Sequence, residues 1–226
     1  MRDADLDAIG LLQDPARRAL YEYVVAQGRE VGRNEAAEAV GMQRTLAAFH
    51  MDRLAGAGLL DIAYRRLSAR SGPGAGRPAK LYRRPATERA VSLPPRDYLG
   101  VGKILAEAVE RSGTEEQLFR AGREQGAAAG RTLASAMGSA GVELDDLINH
   151  LVDRGYEPYQ DAEALRLRNC PFDALARDFP VVACGTNLAL LEGMLAGAGL
   201  AESYAARLAP RPGECCVVIA SKTNVS

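Results

Sequence analysis

One glycine between two short helical segments, followed by two strand-like segments, constrains the fold of this chain most. The stretch "NEAAEAVGMQRTLAAFHMDRLAGAG" predicts a helix over residues 34–40, a turn at Gly41 and a second helix over residues 43–57. The apolar residues expected on the buried face of the second helix are Leu46, Phe49 and Leu54. Helix, tight turn and second helix form the helix-turn-helix pattern.

The residues that follow this pair of helices complete the pattern of a winged helix. Residues 60–66 and the segment "KLYRR" read as strands, and the loop between them, "SARSGPGAGRPAK", is rich in glycine and proline. The alternative is an ordinary pair of helices followed by a linker. Order, lengths and charge agree on the winged helix, so residues 1–90 are predicted to form a winged helix-turn-helix domain. Residues 6–27, ahead of this pair of helices, also read as helical, with Asp14 as an N-cap and Pro15 at the first helical position.

Basic residues concentrate in the same region. The chain has a net charge of −1, yet residues 61–89 contain eight basic residues and two acidic ones. A local excess of positive charge on an acidic chain suits a domain that binds a polyanion such as DNA. The alternative is a solvated loop.

The second helix of a helix-turn-helix lies in the major groove, where its first turn meets the base edges. Gln and Arg side chains can bind adenine and guanine there, and small side chains can contact phosphate or a thymine methyl group. At the start of this helix, the candidates for contacts to base edges, phosphate or a thymine methyl group are Gln43, Arg44, Thr45 and Ala48. On its exposed side, His50 and Arg53 are expected to contact the DNA backbone. In the wing, Arg77 and Lys80 are the candidates for groove or phosphate contacts.

The rest of the chain predicts dimerisation helices and a sensor domain. Residues 95–140 read as a linker and long helices, and the small residues of "AGREQGAAAG" predict a close helix–helix seam between two copies. We expect a symmetric homodimer on a palindromic double-stranded operator. Residues 141–226 change period and predict a small α+β domain with the order ββααββ. The expected class is therefore mainly α with α+β.

Localisation follows from what the sequence lacks at its start and along its length. We expect no apolar run to approach the roughly 18 residues that span a bilayer. The segment "MRDADLDAIG" has no apolar stretch of the signal-peptide type. We expect a cytoplasmic protein with no membrane partner.

All four cysteines lie in the last quarter of the chain, which is difficult to explain by core packing alone. A disulfide suits a reducing compartment only as a transient switch. Catalysis is not expected, because the two histidines, His50 and His150, offer no evident base for a thiol. A metal centre remains, with close Cys-x2-Cys zinc pairs absent and wider spacing acceptable to an iron–sulfur cluster.

The expected metal ligands are Cys170, Cys184 and either Cys215 or Cys216. Cys170 and Cys184 are predicted to stand at or near the starts of successive helices, which favour anions. Neighbouring residues on a strand point to opposite faces, and Cys215 shares its face with the bulkier Val217 and Ile219. Cys215 is therefore expected to be the inward thiol.

The whole chain resembles the actinobacterial helix-turn-helix regulators related to SufR, the repressor of iron–sulfur cluster assembly operons. The resemblance is carried by "LAAFHMDRLAGAGLL", "GPGAGRPAKLYRR", "RNCPFDALA", "VVACGTNLALLEG" and "CCVVI". It implies a dimeric repressor whose C-terminal domain binds a redox-labile cluster through three cysteines. By position these are Cys170, Cys184 and one of Cys215 and Cys216.

The expected function is therefore a DNA-binding repressor, not an enzyme, controlled by a redox-sensitive cluster. A 4Fe–4S cluster is favoured over 2Fe–2S. The alternative is a repressor of the same fold that responds to a small apolar effector or to zinc and holds no cluster.

Overall fold

The computed structural model describes residues 3–66, 78–162 and 164–222 of the chain, and it has a mixed α+β fold with two small sheets. It divides into two compact units between Arg96 and Asp97. The helices predicted as a separate dimerisation segment belong to the second unit.

Within the described residues, the first unit contains four helices, and two of them replace the single helix predicted over residues 6–27. They are α1 (Asp3–Gly10), α2 (Pro15–Gln27), α3 (Arg33–Ala39) and α4 (Arg44–Gly56). A single 3₁₀ turn and Asp14 separate α1 from α2. The carboxylate of Asp14 accepts hydrogen bonds from the backbone N–H groups of Ala16 (2.9 Å) and Arg17 (3.2 Å), so it caps α2 as predicted.

Three short antiparallel strands pack with these helices. They are β1 (Val31–Gly32), β2 (Asp61–Arg65) and β3 (Ala79–Arg83), in the sheet order β1-β3-β2. Tyr82 on the central strand lies opposite both Val31 and Ile62 and is almost fully buried. The predicted wing loop falls largely on residues 67–77, which lie outside the described residues.

The buried face of α4 differs from the predicted one. Its core side chains recur at i, i+3, i+4 and i+7, the spacing of one helical face. These side chains are Ala47, His50, Met51 and Leu54. Leu54 is buried as predicted, but the prediction was wrong for Leu46 and Phe49, which are exposed.

In the part of the second unit that the structure describes, there are five α-helices and a four-stranded antiparallel sheet in the order β4-β5-β7-β6. In chain order the elements are α5 (Tyr98–Ser112), α6 (Glu115–Met137), α7 (Leu144–Asp153), β4 (Pro158–Gln160), β5 (Leu165–Leu167), α8 (Asp173–Ala176), α9 (Pro180–Gly197), β6 (Tyr204–Leu208) and β7 (Val217–Ser221). The order from β4 to β7 is the predicted ββααββ.

The central helix of the second unit is α9. By length and composition it could cross a membrane, so the prediction of no such apolar run was wrong for this segment. Its apolar residues Leu191, Met194 and Leu195 are buried against the sheet and α7 in the core of the unit. That packing accounts for the apolar composition of α9.

Helices α6 and α9 pack through glycines at very close range. The glycines of this seam are Gly122, Gly126 and Gly130 on α6 and Gly193 and Gly197 on α9. A Cβ at Gly126 would lie 2.9 Å from the backbone carbonyl carbon of Leu190, closer than real Cβ atoms essentially ever come. The small residues that predicted a seam between two copies therefore form this glycine seam within one chain.

The glycine seam predicts a steep cost for adding one methyl group. In Gly130→Ala the new Cβ would lie 2.6 Å from the backbone nitrogen of Ala198, so a helix must shift. We expect the free energy of unfolding to fall by at least about 2 kcal/mol, as overpacking does. Urea unfolding followed by circular dichroism measures it.

The matched control is Gly102→Ala in the middle of α5, where a Cβ meets no atom within 4 Å. Because alanine has the higher helix propensity, this variant is expected to be unchanged or more stable by up to about 1 kcal/mol. Equal effects of the two substitutions would contradict the seam.

Candidate nucleic-acid interface and cysteine site

The exposed side of α4 carries most of the predicted DNA-binding residues. Arg44, Thr45 and Arg53 are exposed on the helix, and Gln43 is exposed at its N-cap. Ala48 is half-buried at the edge of this side. The outward face of α4, defined here as Gln43, Arg44, Thr45, Phe49 and Arg53, thus presents two cations, two uncharged polar groups and one aromatic ring.

Phe49 is a functional candidate that sequence reasoning placed in the core. Its side chain is 57% exposed, in line with Thr45 and Arg53 along the helix. A Phe ring can make apolar contact with a thymine methyl group in the major groove. The signal that could have found it is the run Ala47, Met51 and Leu54, which fits one helical face better than Leu46, Phe49 and Leu54 does.

His50 lies in the core of the first unit instead of on the exposed side. Only 8% of it is accessible, and the edge of its ring meets the Phe49 ring at a centroid distance of 5.5 Å. Its Nδ1 has no hydrogen-bond partner among the described residues. The prediction that His50 reaches the DNA backbone from an exposed position was therefore wrong about where it lies.

Lys80 on β3 is tied to α4. Its Nζ lies 2.5 Å from Oδ1 of Asp52, and the same oxygen accepts a hydrogen bond from the Tyr82 hydroxyl at 2.5 Å. Burial alone would raise the pKa of Asp52, but these two hydrogen bonds lower it, and the net result is a pKa below the usual value. The other predicted wing residue, Arg77, lies outside the described residues.

The cysteines come together in two pairs. Cys184, in the second turn of α9, forms a disulfide with Cys216, which directly precedes β7. Their Cα atoms are 6.4 Å apart. Cys170, in the loop between β5 and α8, and Cys215 are free thiols and contact one another.

The Cys170–Cys215 pair sits in a network of hydrogen bonds. The Asn187 amide donates to the sulfur of Cys215 at 3.1 Å, the Val217 N–H reaches that sulfur at 3.5 Å, and the Tyr156 hydroxyl donates to the Asn187 side-chain oxygen at 2.6 Å. The hydrogen bond from Cys170 lowers the pKa of Cys215 to about 7, with the Val217 N–H and Asn187 acting the same way. That bond and burial raise the pKa of Cys170. The Asn187 amide and the Val217 N–H thus direct two hydrogen-bond donors at the sulfur of Cys215.

Sequence reasoning found part of this arrangement. Cys215 is the inward thiol, as predicted, and is 2% exposed. Cys184 lies near the start of α9, as predicted, four residues after Pro180. Asn187 and Tyr156 were not predicted. The asparagine in the apolar run "CGTNLALL" could have indicated them, because a buried polar side chain needs a hydrogen-bond partner.

The predicted ligand set is divided between the two pairs. Cys170 contacts Cys215, while Cys184 is bonded to Cys216. Within the residues that the structure describes, no three His, Cys, Asp or Glu side chains are grouped as a metal site. The pairs are nevertheless neighbours, because Cys215 and Cys216 are consecutive and Asn187, which contacts Cys215, is three residues after Cys184 on α9.

An apolar cavity of about 590 Å³ opens beside the Cys184–Cys216 pair. It is bounded by α6, α9, β6 and the residues on either side of the β6–β7 connection. Both sulfur-bearing residues line it, and most of its remaining wall is aliphatic or aromatic. The second unit thus offers a ligand-sized space next to one of its two cysteine pairs.

Comparison with protein-family models, with curated proteins and with solved structures found no match to this chain. The resemblance to SufR-related regulators therefore stays an expectation from the sequence. Any function assigned to the chain depends on its own contacts, exposures and charges.

Proposed function

We propose that this protein is a cytoplasmic, homodimeric DNA-binding transcription repressor with a winged helix-turn-helix domain and a cysteine-based redox sensor. The observation that carries the proposal is the outward face of α4. An exposed helix with Arg44 and Thr45 in its first turn, entered through the Gly41 turn, has the chemistry of a major-groove recognition helix.

The elements around α4 support the winged-helix assignment. Gly41 has φ of +67°, which lets α3 turn sharply into α4. The antiparallel pair β2–β3 then follows α4, and its ends carry Arg65, Lys80 and Arg83. A basic hairpin after a recognition helix is the arrangement in which a wing reaches the phosphate backbone.

Helix α5 supplies the surface for a dimer. Leu99 is exposed on another side of α5, whereas four further exposed apolar residues recur at i, i+3, i+6 and i+7 and so form one face. They are Tyr98, Val101, Ile104 and Leu105. Because the glycine seam already uses the small-residue face of α6, we place the two-fold contact of the dimer on this face of α5. An exposed aliphatic face of this kind is typical of a protein–protein contact.

The cysteine site suits an iron–sulfur cluster in donor type and location. The proposed ligands are Cys170, Cys184 and either Cys215 or Cys216, and a 4Fe–4S cluster is favoured over 2Fe–2S. For these residues to act as ligands, the Cys184–Cys216 bond must be reduced, since the ligands of a cluster are thiolates. Such a cluster would supply one-electron redox chemistry and sensitivity to oxidants.

The chain's own residues hold the thiols and connect them to the proposed dimer helix. Asn187 and the Val217 N–H donate to the Cys215 sulfur and so stabilise its thiolate form. On the other side of the site, Lys103 of α5 pairs with Asp178, two residues before α9, at 2.5 Å. A change at Cys184 near the start of α9 would therefore act on α5 through the Lys103–Asp178 contact, and through α5 on the spacing of the two recognition helices.

The cavity beside Cys184 and Cys216 favours a second candidate within the same class. In this alternative the repressor responds to a small apolar effector or to zinc, and no cluster is bound. The aliphatic walls of the cavity favour the effector over zinc, which requires several polar ligands.

The DNA-binding proposal predicts distinct effects for two residues of the outward face. DNA is first selected from a random duplex library with the wild-type protein, and affinity is then measured by fluorescence anisotropy at several salt concentrations. Arg44→Ala should lower affinity for the selected duplex by about 1–3 kcal/mol if it contacts a base. Phe49→Ala should weaken binding to the selected duplex and leave binding to random duplex unaffected. Because it removes no charge, the slope of affinity against salt concentration should stay the same.

The matched control is Arg120→Ala on α6, which is exposed and makes the same change in net charge. It is expected to retain wild-type affinity. If Arg44→Ala and Arg120→Ala behave alike, the outward face of α4 is not the DNA-binding surface.

The dimer proposal predicts that Ile104→Asp yields single chains. The substituted carboxylate would lie in the centre of the apolar face of α5, where a second copy would bury it without a partner. Light scattering after gel filtration should give twice 24.1 kDa for the wild-type protein and 24.1 kDa for the variant. Val152→Asp, an exposed position on α7, should remain a dimer. A wild-type mass of one chain would reject the dimer.

The cluster proposal predicts a coloured protein after purification without oxygen. Iron and acid-labile sulfide should be present, and the visible absorbance should disappear in the Cys170→Ala/Cys184→Ala double variant. Cys215→Ser and Cys216→Ser then separate the two candidates for the third ligand. A colourless protein without iron or sulfide after reconstitution rejects the cluster, and a double variant that keeps its colour rejects the ligand assignment.

A further inference from the structure

The cavity of the second unit is apolar and open to solvent. Among its walls are Phe119 of α6, Val181 and Leu188 of α9, and Leu208 of β6. Val181 is 64% exposed and Leu208 is 50% exposed, so the mouth of the cavity can be reached from solution. A cavity of about 590 Å³ has room for a small organic molecule of several carbon atoms.

The reactive groups of this cavity are sulfurs. Cys184 and Cys216 both line it and are close enough to be joined as a disulfide. Cys215, by contrast, is buried and points into the core with Asn187. A molecule that enters the cavity therefore meets the Cys184–Cys216 pair and not the Cys170–Cys215 pair.

The charged groups of the cavity are few. Arg123 and Glu192 line it, their nearest charged atoms 4.0 Å apart, and Arg123 also pairs with Glu116. These opposite charges compensate one another, so the cavity does not favour a strongly charged ligand. The matching ligand has an apolar body and a small, uncharged group that reacts with thiols.

We propose that this cavity binds apolar organic hydroperoxides and that the reduced Cys184–Cys216 pair reduces them to alcohols. The proposal rests on the proposed function only for its regulatory consequence, and it concerns the protein with its four thiols free of a cluster.

The reaction is balanced by the two cysteines and the hydroperoxide. The thiolate of one cysteine attacks the terminal oxygen of the hydroperoxide, so that a sulfur–oxygen bond forms and the oxygen–oxygen bond breaks. The alkoxide leaves and takes a proton from solvent to become the alcohol. The second thiol then attacks the sulfenic sulfur, the disulfide forms and water leaves. The cysteine pair loses two electrons and the hydroperoxide gains them.

Oxidation would join α9 covalently to Cys216, the residue before β7. Helix α9 is also the helix that packs on α6 through the glycine seam. In a regulator, this bond would couple an apolar oxidant to the packing of α9 and hence to α5. The consumption of peroxide is stoichiometric, one molecule for each pair, as suits a sensor.

The test compares cumene hydroperoxide with hydrogen peroxide on the full-length protein, reduced, freed of metal by a chelator and kept without oxygen. Loss of thiols is followed in time, and the oxidised pair is identified by peptide mass spectrometry. The rate of Cys184–Cys216 oxidation by cumene hydroperoxide is divided by the rate with hydrogen peroxide, and the same rate ratio is measured for glutathione. The ratio for the protein should exceed the ratio for glutathione by at least about tenfold, a factor within the range that apolar contacts can provide. Sulfenic acid should be trapped by dimedone in Cys184→Ser or in Cys216→Ser.

Val181→Asp tests the cavity itself. It places a charge at the mouth, near the N-terminus of α9 where an acidic residue suits the helix, so the fold should be retained. Because apolar contact is lost, the ratio of the rate with cumene hydroperoxide to the rate with hydrogen peroxide should fall to within about threefold of the ratio for glutathione. Val152→Asp, the same change on α7 and away from the cavity, should keep the wild-type preference.

Three results would overturn the proposal: no preference for the apolar peroxide, a preference that Val181→Asp leaves intact, or first oxidation at Cys170–Cys215. Its fate is separate from that of the proposed function. A protein that binds DNA but shows no preference refutes the peroxide site alone. A protein that reduces cumene hydroperoxide but binds no DNA refutes the regulator alone.

Discussion

The backbone contact between α6 and α9 is the constraint on which the second unit depends. Five glycines let the two helix backbones approach so closely that any side chain at Gly126, Gly130, Gly193 or Gly197 would occupy the space of the neighbouring backbone. Once α9 lies in that position, its opposite side supplies the core with Leu191, Met194 and Leu195. Its first turns hold Cys184 and Asn187 beside the residues that lead into β7. Both the cysteine site and the cavity are therefore consequences of one steric requirement.

The two consecutive cysteines, just before β7, have different partners. Cys215 enters the core beside Asn187, whereas Cys216 meets Cys184. The inner thiol is surrounded by hydrogen-bond donors that favour its charged form, and the outer one borders a solvent-accessible cavity. The two consecutive cysteines thus lie in different chemical environments, one in the core and the other at the cavity.

Local signals in the sequence predicted the local features of the fold, whereas tertiary partners were beyond them. The cap at Asp14, the turn at Gly41, the inward direction of Cys215 and the order ββααββ each depend on neighbouring residues, and each was predicted. The face of α4 was misjudged by about one residue, since a phenylalanine was expected inside and a histidine outside, the usual preference of each. The glycine seam shows the same limit: small residues indicate a close contact but not which helix makes it. The pairing of cysteines from α9, the β6–β7 connection and the β5–α8 loop likewise depends on the assembled sheet.

The contact of Asp52 with Lys80 has a consequence for any nucleic acid that the first unit binds. Asp52 pairs with the Lys80 cation that is proposed to contact a phosphate, so a phosphate that binds Lys80 must displace this carboxylate. When Lys80 exchanges Asp52 for a phosphate, one ion pair replaces another and little is gained in attraction. A free lysine that joins a phosphate drives the release of a condensed counterion, but here the displaced carboxylate recovers a counterion from solution. The salt dependence of any such binding should therefore report fewer cations than the surface of the first unit displays.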